Sequence, residues 1–171
     1  LKNDENILPL KTSEKVAFIG AFAKKPRFQG GGSSHINCFK VTNALDSVPS
    51  DAQVTYAEGF PDDKDLYDDA QVAEALKAAK EADKAVIFAG LPDNFESEGY
   101  DRSHMRLPDC QLRLIDQILQ VQPNTVIVLH NGSPVEMPWL SDVKGLLEAY
   151  LGGQAGGAAV ANILYGQVIP S

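Results

Sequence analysis

The sequence predicts a doubly wound α/β fold: a mainly parallel sheet of about five to six strands with helices on both faces, a flavodoxin-like α/β sandwich. Three observations predict it. Short runs rich in β-branched and aromatic residues are apolar almost without interruption, which marks strands covered on both sides. Amphipathic stretches at helical spacing separate them. Glycine-rich or carboxylate-rich segments follow the strands, on the edge of a parallel sheet where ligands bind.

Val16-Ala17-Phe18-Ile19-Gly20, an apolar run closed by glycine, reads as the first buried strand, and Val54-Thr55-Tyr56-Ala57 as a weaker second. Residues 68–83 set Val72, Ala75, Leu76 and Ala79 on one stripe, with Asp68 and Asp69 at the end where the helix dipole favours carboxylates. Lys84-Ala85-Val86-Ile87-Phe88-Ala89-Gly90 is the third strand. Residues 108–121 form a helix behind the Pro108-Asp109 start, with Leu112, Ile115, Ile118 and Leu119 as its apolar face. Thr125-Val126-Ile127-Val128-Leu129-His130 and Gly145-Leu146-Leu147-Glu148-Ala149-Tyr150 complete the strands. Residues 155–164, rich in small side chains, read as a helix packed closely on a neighbour. Alternation at this spacing gives right-handed βαβ units.

The 171 residues suit one domain, and a hydrophobic fraction of 44% supports an ordinary core without metals or crosslinks. A net charge of −8 opposes binding to nucleic acid or to anionic membrane surfaces, which attract Lys/Arg clusters. No apolar run approaches the roughly 20 residues that span a bilayer. Cys38 and Cys110 match no metal or redox spacing, and His35, His104 and His130 show no ligand spacing, so neither metal nor cofactor is expected. Asp62, Asp63, Asp65, Asp68 and Asp69 read as a solvated loop and helix start.

Four loops converge on the carboxyl edge. Gly30-Gly31-Gly32-Ser33-Ser34 fits neither a phosphate loop nor a dinucleotide fingerprint. It is either a plain surface loop or a tight turn that lets backbone approach a ligand or a partner domain. Gly152-Gly153-Gln154-Ala155-Gly156-Gly157 opens a helix; close packing accounts for its glycines better than an anion site does. His130-Asn131-Gly132-Ser133-Pro134 lacks the G-x-S-x-G elbow of a serine nucleophile, and His130 reads as structural. The loop from Asp93 to Arg102 packs Asp93, Glu96, Glu98 and Asp101 beside Phe95 and Tyr100. A carboxyl near apolar or like-charged neighbours holds its proton to higher pH, as an acid/base catalyst requires. A solvated acidic loop tied by an Asp101–Arg102 pair explains the same residues, and chemistry alone does not choose.

At this loop the chain resembles glycoside hydrolase family 3. Glu98-Gly99-Tyr100-Asp101-Arg102, followed by Leu107-Pro108 and Gln111, is similar to the family's E-G-x-D-R…L-P…Q signature. Leu1-Lys2-Asn3-Asp4 with Ile7-Leu8-Pro9-Leu10 resembles its interdomain linker, and Gly30 to Ser34 its G-x-G-S-S loop. Gly132-Ser133-Pro134-Val135 with Trp139, and Gly152-Gly153-Gln154, resemble two further stretches, although Gly152 stands where the family often has Pro.

The resemblance implies residues 1–14 as a linker from an N-terminal TIM-barrel domain and 15–171 as an α/β sandwich carrying the acid/base loop. It implies a retaining, exo-acting β-glucosidase or β-xylosidase, a β-linked oligosaccharide or glycoside as substrate, and two carboxyls about 5 to 5.5 Å apart. Glu98 is then the acid/base, with Glu96 as the alternative. Asp101, Arg102, Gly31, Gly32, Ser33 and Ser34 become residues that line the pocket or orient the loop. The family's nucleophile segment, Ser-Asp-Trp, is missing from these residues, both ends read as cut, and the chain alone is expected to be inactive. A subgroup that cleaves N-acetylhexosaminides often lacks the E-G-x-D-R loop, which favours the glucosidase or xylosidase type. Two other readings are a non-catalytic carbohydrate-binding or interaction module, and a nucleotide or flavin binder permitted by the sheet pattern.

Overall fold

Every apolar run of the sequence becomes a strand of one sheet. The computed structural model describes residues 1–99 and 101–170; Tyr100, an aromatic of the acidic loop, and the terminal Ser171 lie outside the described residues. The strands are β1 (Lys2–Asn3), β2 (Lys15–Ile19), β3 (Gln53–Ala57), β4 (Lys84–Gly90), β5 (Thr125–His130) and β6 (Gly145–Glu148), in the order β1-β6-β5-β4-β2-β3. Neighbours from β6 to β3 run parallel, and β1 pairs antiparallel with β6 through Lys2–Leu146 and Asn3–Gly145. The fold expectation holds, and the antiparallel edge strand is an addition. A two-residue strand has no periodicity to detect.

Burial explains which runs were clear in the sequence. Every residue of β5 is buried, whereas Gln53 and Thr55 of the edge strand β3 are exposed and only Ala57 is buried. The two faces carry separate apolar layers. Helices α1 (Asp69–Glu81) and α2 (Asp109–Val121) cover one, through Val72, Ala75 and Ala79 and through Leu114, Ile115 and Ile118, against Ile87 and Ile127. Helix α3 (Gly156–Leu164) covers the other with Val160 and Leu164, together with Ile7, Leu8, Leu10 and Phe22, against Phe18, Phe88 and Val128. Residues 1–14 therefore add strand β1 and three core side chains to this layer. The β2–β3 connection contains only short 3-10 turns, at Ala21–Ala23, Gly32–Ser34 and Leu45–Ser47. Its prolines and glycines interrupt any helical stripe.

The acidic cluster is put to use at helix starts. Asp68 caps α1, its Oδ1 accepting from Ala70 N (2.9 Å) and Gln71 N (3.0 Å). Asp65 caps α2 from another loop, accepting from Asp109 N (2.9 Å) and Cys110 N (2.7 Å). Gly157 of α3 packs closely, as expected: a Cβ there would lie 2.4 Å from Asn43 Cα. The Thr42 hydroxyl accepts from Ala158 N at 3.0 Å, so a protein group occupies that helix start.

The topology also locates the site. The chain runs from β2 outward to the edge strand β3, then returns to β4 on the opposite side of β2. The strand order thus reverses between β2 and β4, and ligands of such sheets bind outside the carboxyl ends at that switch point. The loops leaving β2 and β4 there are the glycine-serine loop and the acidic loop.

Candidate active site

The acidic loop starts from a fixed backbone. The carboxamide of Gln111, buried on α2, accepts from Gly90 N and donates to Gly90 O, both at 2.9 Å. Leu91 N donates to His130 O at 3.0 Å. Buried backbone groups need such partners, so β4 ends in a defined position. Gly90 itself has φ +156°, and a Cβ would fall 2.0 Å from His130 O. No larger residue fits against β5 there.

Seven residues on, the loop meets the one leaving β2. Ser33 N donates to Glu98 Oε2 at 2.7 Å. The approach needs glycine on the facing loop: a Cβ on Gly31 would lie 2.8 Å from Ser97 Oγ, and one on Gly32, at φ +75°, 2.6 Å from Glu98 Cβ. The glycine run is a tight turn, and what its backbone approaches here is the acidic loop of the same chain. Ser34 Oγ donates back to Gly31 O at 3.1 Å and closes the turn. Glu98 is otherwise exposed. Hydrogen bonds from Ser33 hold its carboxyl below the ordinary glutamate value, because they stabilise the charged form.

Glu96 is placed differently. Its Oε2 accepts from Gly132 N at 2.9 Å and from an Arg27 guanidinium N–H. Burial raises its pKa, but hydrogen bonds from Ser133, Gly132 and Arg27, with the Arg27 charge, outweigh burial and leave the carboxyl below its usual value. Its side chain is 18% exposed. Two carboxylates two residues apart thus differ in setting: Glu96 is partly buried and held by several donors, while Glu98 is exposed and, among the described residues, accepts from Ser33.

Arg27 is the residue that sequence reasoning missed. Its side chain is only 5% exposed, and it donates from Nε to Asp93 Oδ1 (2.8 Å), from Nη1 to Leu91 O (2.9 Å) and from Nη2 to Glu96 O (2.9 Å). The sole signal in the sequence was an arginine on the ligand-edge loop close to the glycine run.

Arg102 bridges two loops, donating from Nη2 to Ser133 Oγ (2.9 Å) and Pro134 O (2.8 Å). Ion pairs among the described residues do not include Asp101–Arg102, which corrects the sequence expectation; Asp101 is exposed. Arg102 thereby ties the acidic loop to the same β5 loop whose Gly132 N donates to Glu96. A groove of about 490 Å³ runs between the acidic loop and Ser133, lined by Phe95, Glu96, Asp101, Arg102, His104 and Met105 among others.

His130 behaves as structural. It is 4% exposed, stacks on Phe88 (6.3 Å between centroids) and meets Phe22 edge-on (5.8 Å). Burial pushes its pKa down to about 4, against a hydrogen bond with the Arg27 backbone that raises it. Cys38 and Cys110 are both free, and burial with the neighbouring Asp65 pushes the Cys110 thiol up to about 12, which makes it a poor nucleophile. Among the described residues no cluster of His, Cys, Asp and Glu could hold a metal, and no helix is long and apolar enough to cross a membrane.

Residues 1–171 match the family model of the glycosyl hydrolase family 3 C-terminal domain. Thermostable beta-glucosidase B of Acetivibrio thermocellus is 51% identical over 175 residues, covering 100% of this chain and 23% of that protein. An exo-alpha-(1->6)-L-arabinopyranosidase of Bifidobacterium longum is 44% identical over 182 residues, covering 100% of this chain and 24% of its own length. The crystal structure of a Bifidobacterium adolescentis GH3 beta-glucosidase superposes with a TM-score of 0.92 at 44% identity, over 98% of this chain and 25% of that one. The chain spans about a quarter of the length of the relatives it matches.

Proposed function

The chain belongs to glycoside hydrolase family 3 as its C-terminal domain, and from that premise we propose that it supplies the general acid/base, Glu98, of a retaining exo-acting β-glycosidase. The observation that carries this reading is the exposed Glu98 carboxylate, presented at the sheet's switch point against Ser33 N at 2.7 Å. Glu96 is the poorer candidate because its partly buried carboxylate already accepts from Arg27, Gly132 and Ser133. That network engages Glu96 with the protein's own donors, whereas Glu98 remains exposed to an incoming group.

Retention needs two carboxyls flanking the glycosidic bond, about 5 to 5.5 Å apart. The nucleophile belongs to a barrel domain, which residues 1–14 would join to the sandwich. In the first step Glu98 gives its proton to the departing glycosidic oxygen while the nucleophile bonds to the anomeric carbon. In the second it takes a proton from water, which displaces the nucleophile. Standing alone, Glu98 sits below its ordinary pKa. Closing the barrel and substrate over it removes water and brings a second negative charge near, and both raise a carboxyl pKa. The Ser33 hydrogen bond then favours the ionised form used in the second step.

Substrates are β-linked glucosides or xylosides, cleaved at the terminal sugar. Relatives named for glucose and for L-arabinopyranose match this domain along its whole length at 51% and 44% identity, which supports a sugar choice made outside it. In this reading Gly31 to Ser34 orient Glu98 from the facing loop, while Asp101 and Arg102 line the groove of the acidic loop.

The test is a pair of substitutions in an enzyme that carries this domain with its barrel. Glu98→Gln should lower kcat/KM for an alkyl β-glucoside about 10²- to 10⁴-fold. A mild effect of Glu98→Gln beside a crippling one of Glu96→Gln would move the assignment by two residues.

A further inference from the structure

The buried guanidinium of Arg27 has more to do than neutralise a carboxylate. We propose that Arg27 is a positioning residue for the acid/base, setting where Glu98 stands by fixing the loop that carries it; this rests on Glu98 being that acid/base.

A charge this deeply buried persists only with partners for its donors. Arg27 finds all of them in one short stretch of chain: Leu91 O, the Asp93 carboxylate, and both the carboxylate and the main-chain carbonyl of Glu96. The planar fork reaches acceptors at the start and the end of the turn at once, which a lysine cannot do. Glu96 passes the constraint on, because its Oε2 also accepts from Gly132 N in the loop after β5. Only Ser97 separates this last anchored residue from Glu98. Two residues of extended chain reach about 7 Å, so fixing Glu96 leaves Glu98 a small range.

Arg27 also lies on the same connection as Ser33, the residue that donates to Glu98. One side chain therefore sets the acidic loop against the loop it must meet. The site predicted as a competitor, Glu96, becomes part of this device: it holds the Arg27 charge and ties the loop to β5. Misplacing a reacting group by about 1 Å costs on the order of 10²-fold in rate, which is the scale of effect a positioning residue can have.

The test separates positioning from mere folding by leaving-group dependence. A dinitrophenolate leaves without a proton, whereas an alkoxide needs the acid. In the enzyme with its barrel, kcat/KM is measured on dinitrophenyl and methyl β-glucosides for the parent, Glu98→Gln, Arg27→Gln and Arg27→Lys. Glu98→Gln should lose far more on the methyl than on the dinitrophenyl substrate. Arg27→Gln should show the same skew, roughly 10- to 100-fold on methyl and within about threefold on dinitrophenyl, with Arg27→Lys between it and the parent. Equal losses on both substrates in the Arg27 variants, with the skew present in Glu98→Gln, would overturn the positioning role alone. No skew in Glu98→Gln would overturn the acid/base reading beneath it. If Arg27→Gln does not fold, Arg27→Lys keeps the charge and decides by the same comparison.

Discussion

At the scale of single residues, Glu96 and Glu98 differ in surroundings rather than in type, and the proposal of Glu98 as the acid/base rests on that difference. Both are glutamates on one loop and both sit below the usual pKa, but Glu96 does so through a buried network and Glu98 through one facing loop. The Gly32 position makes that facing loop possible. Gly32→Ala would force a Cβ into a left-handed residue and to 2.6 Å from Glu98 Cβ. It should displace Glu98 and cost about 1 to 3 kcal/mol, read as a lower melting temperature together with lost activity. His130 gives a pH prediction. Its folded pKa is about 4 against an ordinary 6.5, so the unfolded chain takes up a proton first as pH falls. Stability is therefore full above about 6.5 and is lost on the way to about 4, by about 3 kcal/mol in all and about 2 kcal/mol by pH 5. His130→Phe keeps the packing on Phe22 and Phe88 without titrating. Chemical denaturation at pH 7 and pH 5 should show that loss in the parent and little of it in the variant.

At the scale of elements, the central strands were legible because burial on both faces writes a continuous apolar run, as in Thr125 to His130. The helices were legible from their stripes and from Asp68 at the start of α1. Strand β1 was not, since Lys2 and Asn3 form a strand only by pairing with β6. Nor was the cap of α2, where the capping carboxylate, Asp65, comes from a distant part of the chain. Asp65→Ala should cost about 1 to 2 kcal/mol of stability by equilibrium denaturation, with little effect on α1. The site divides along the same line. The acidic loop, the glycine turn and the signature residue Gln111 could be read from local motifs. The place of Arg27 and the different settings of the two glutamates could not, because each depends on contacts between the β2, β4 and β5 loops.

At the scale of the molecule, the strand-order reversal between β2 and β4 explains why these loops meet at all. The domain brings the Glu98 carboxylate to that edge and leaves it exposed, which suits a partner that supplies the second carboxyl. The 171-residue chain by itself should hydrolyse nitrophenyl β-glucoside no faster than background, and hydrolysis should need the barrel. The central claim is that Glu98 is the acid/base of the pair. Azide tests it most directly, because it attacks the anomeric carbon of the glycosyl-enzyme without a general base. Product analysis with the barrel-containing enzyme should then find a β-glycosyl azide and faster turnover of dinitrophenyl β-glucoside in Glu98→Gln. Absence of both in Glu98→Gln, with the azide product arising from Glu96→Gln instead, would contradict the claim.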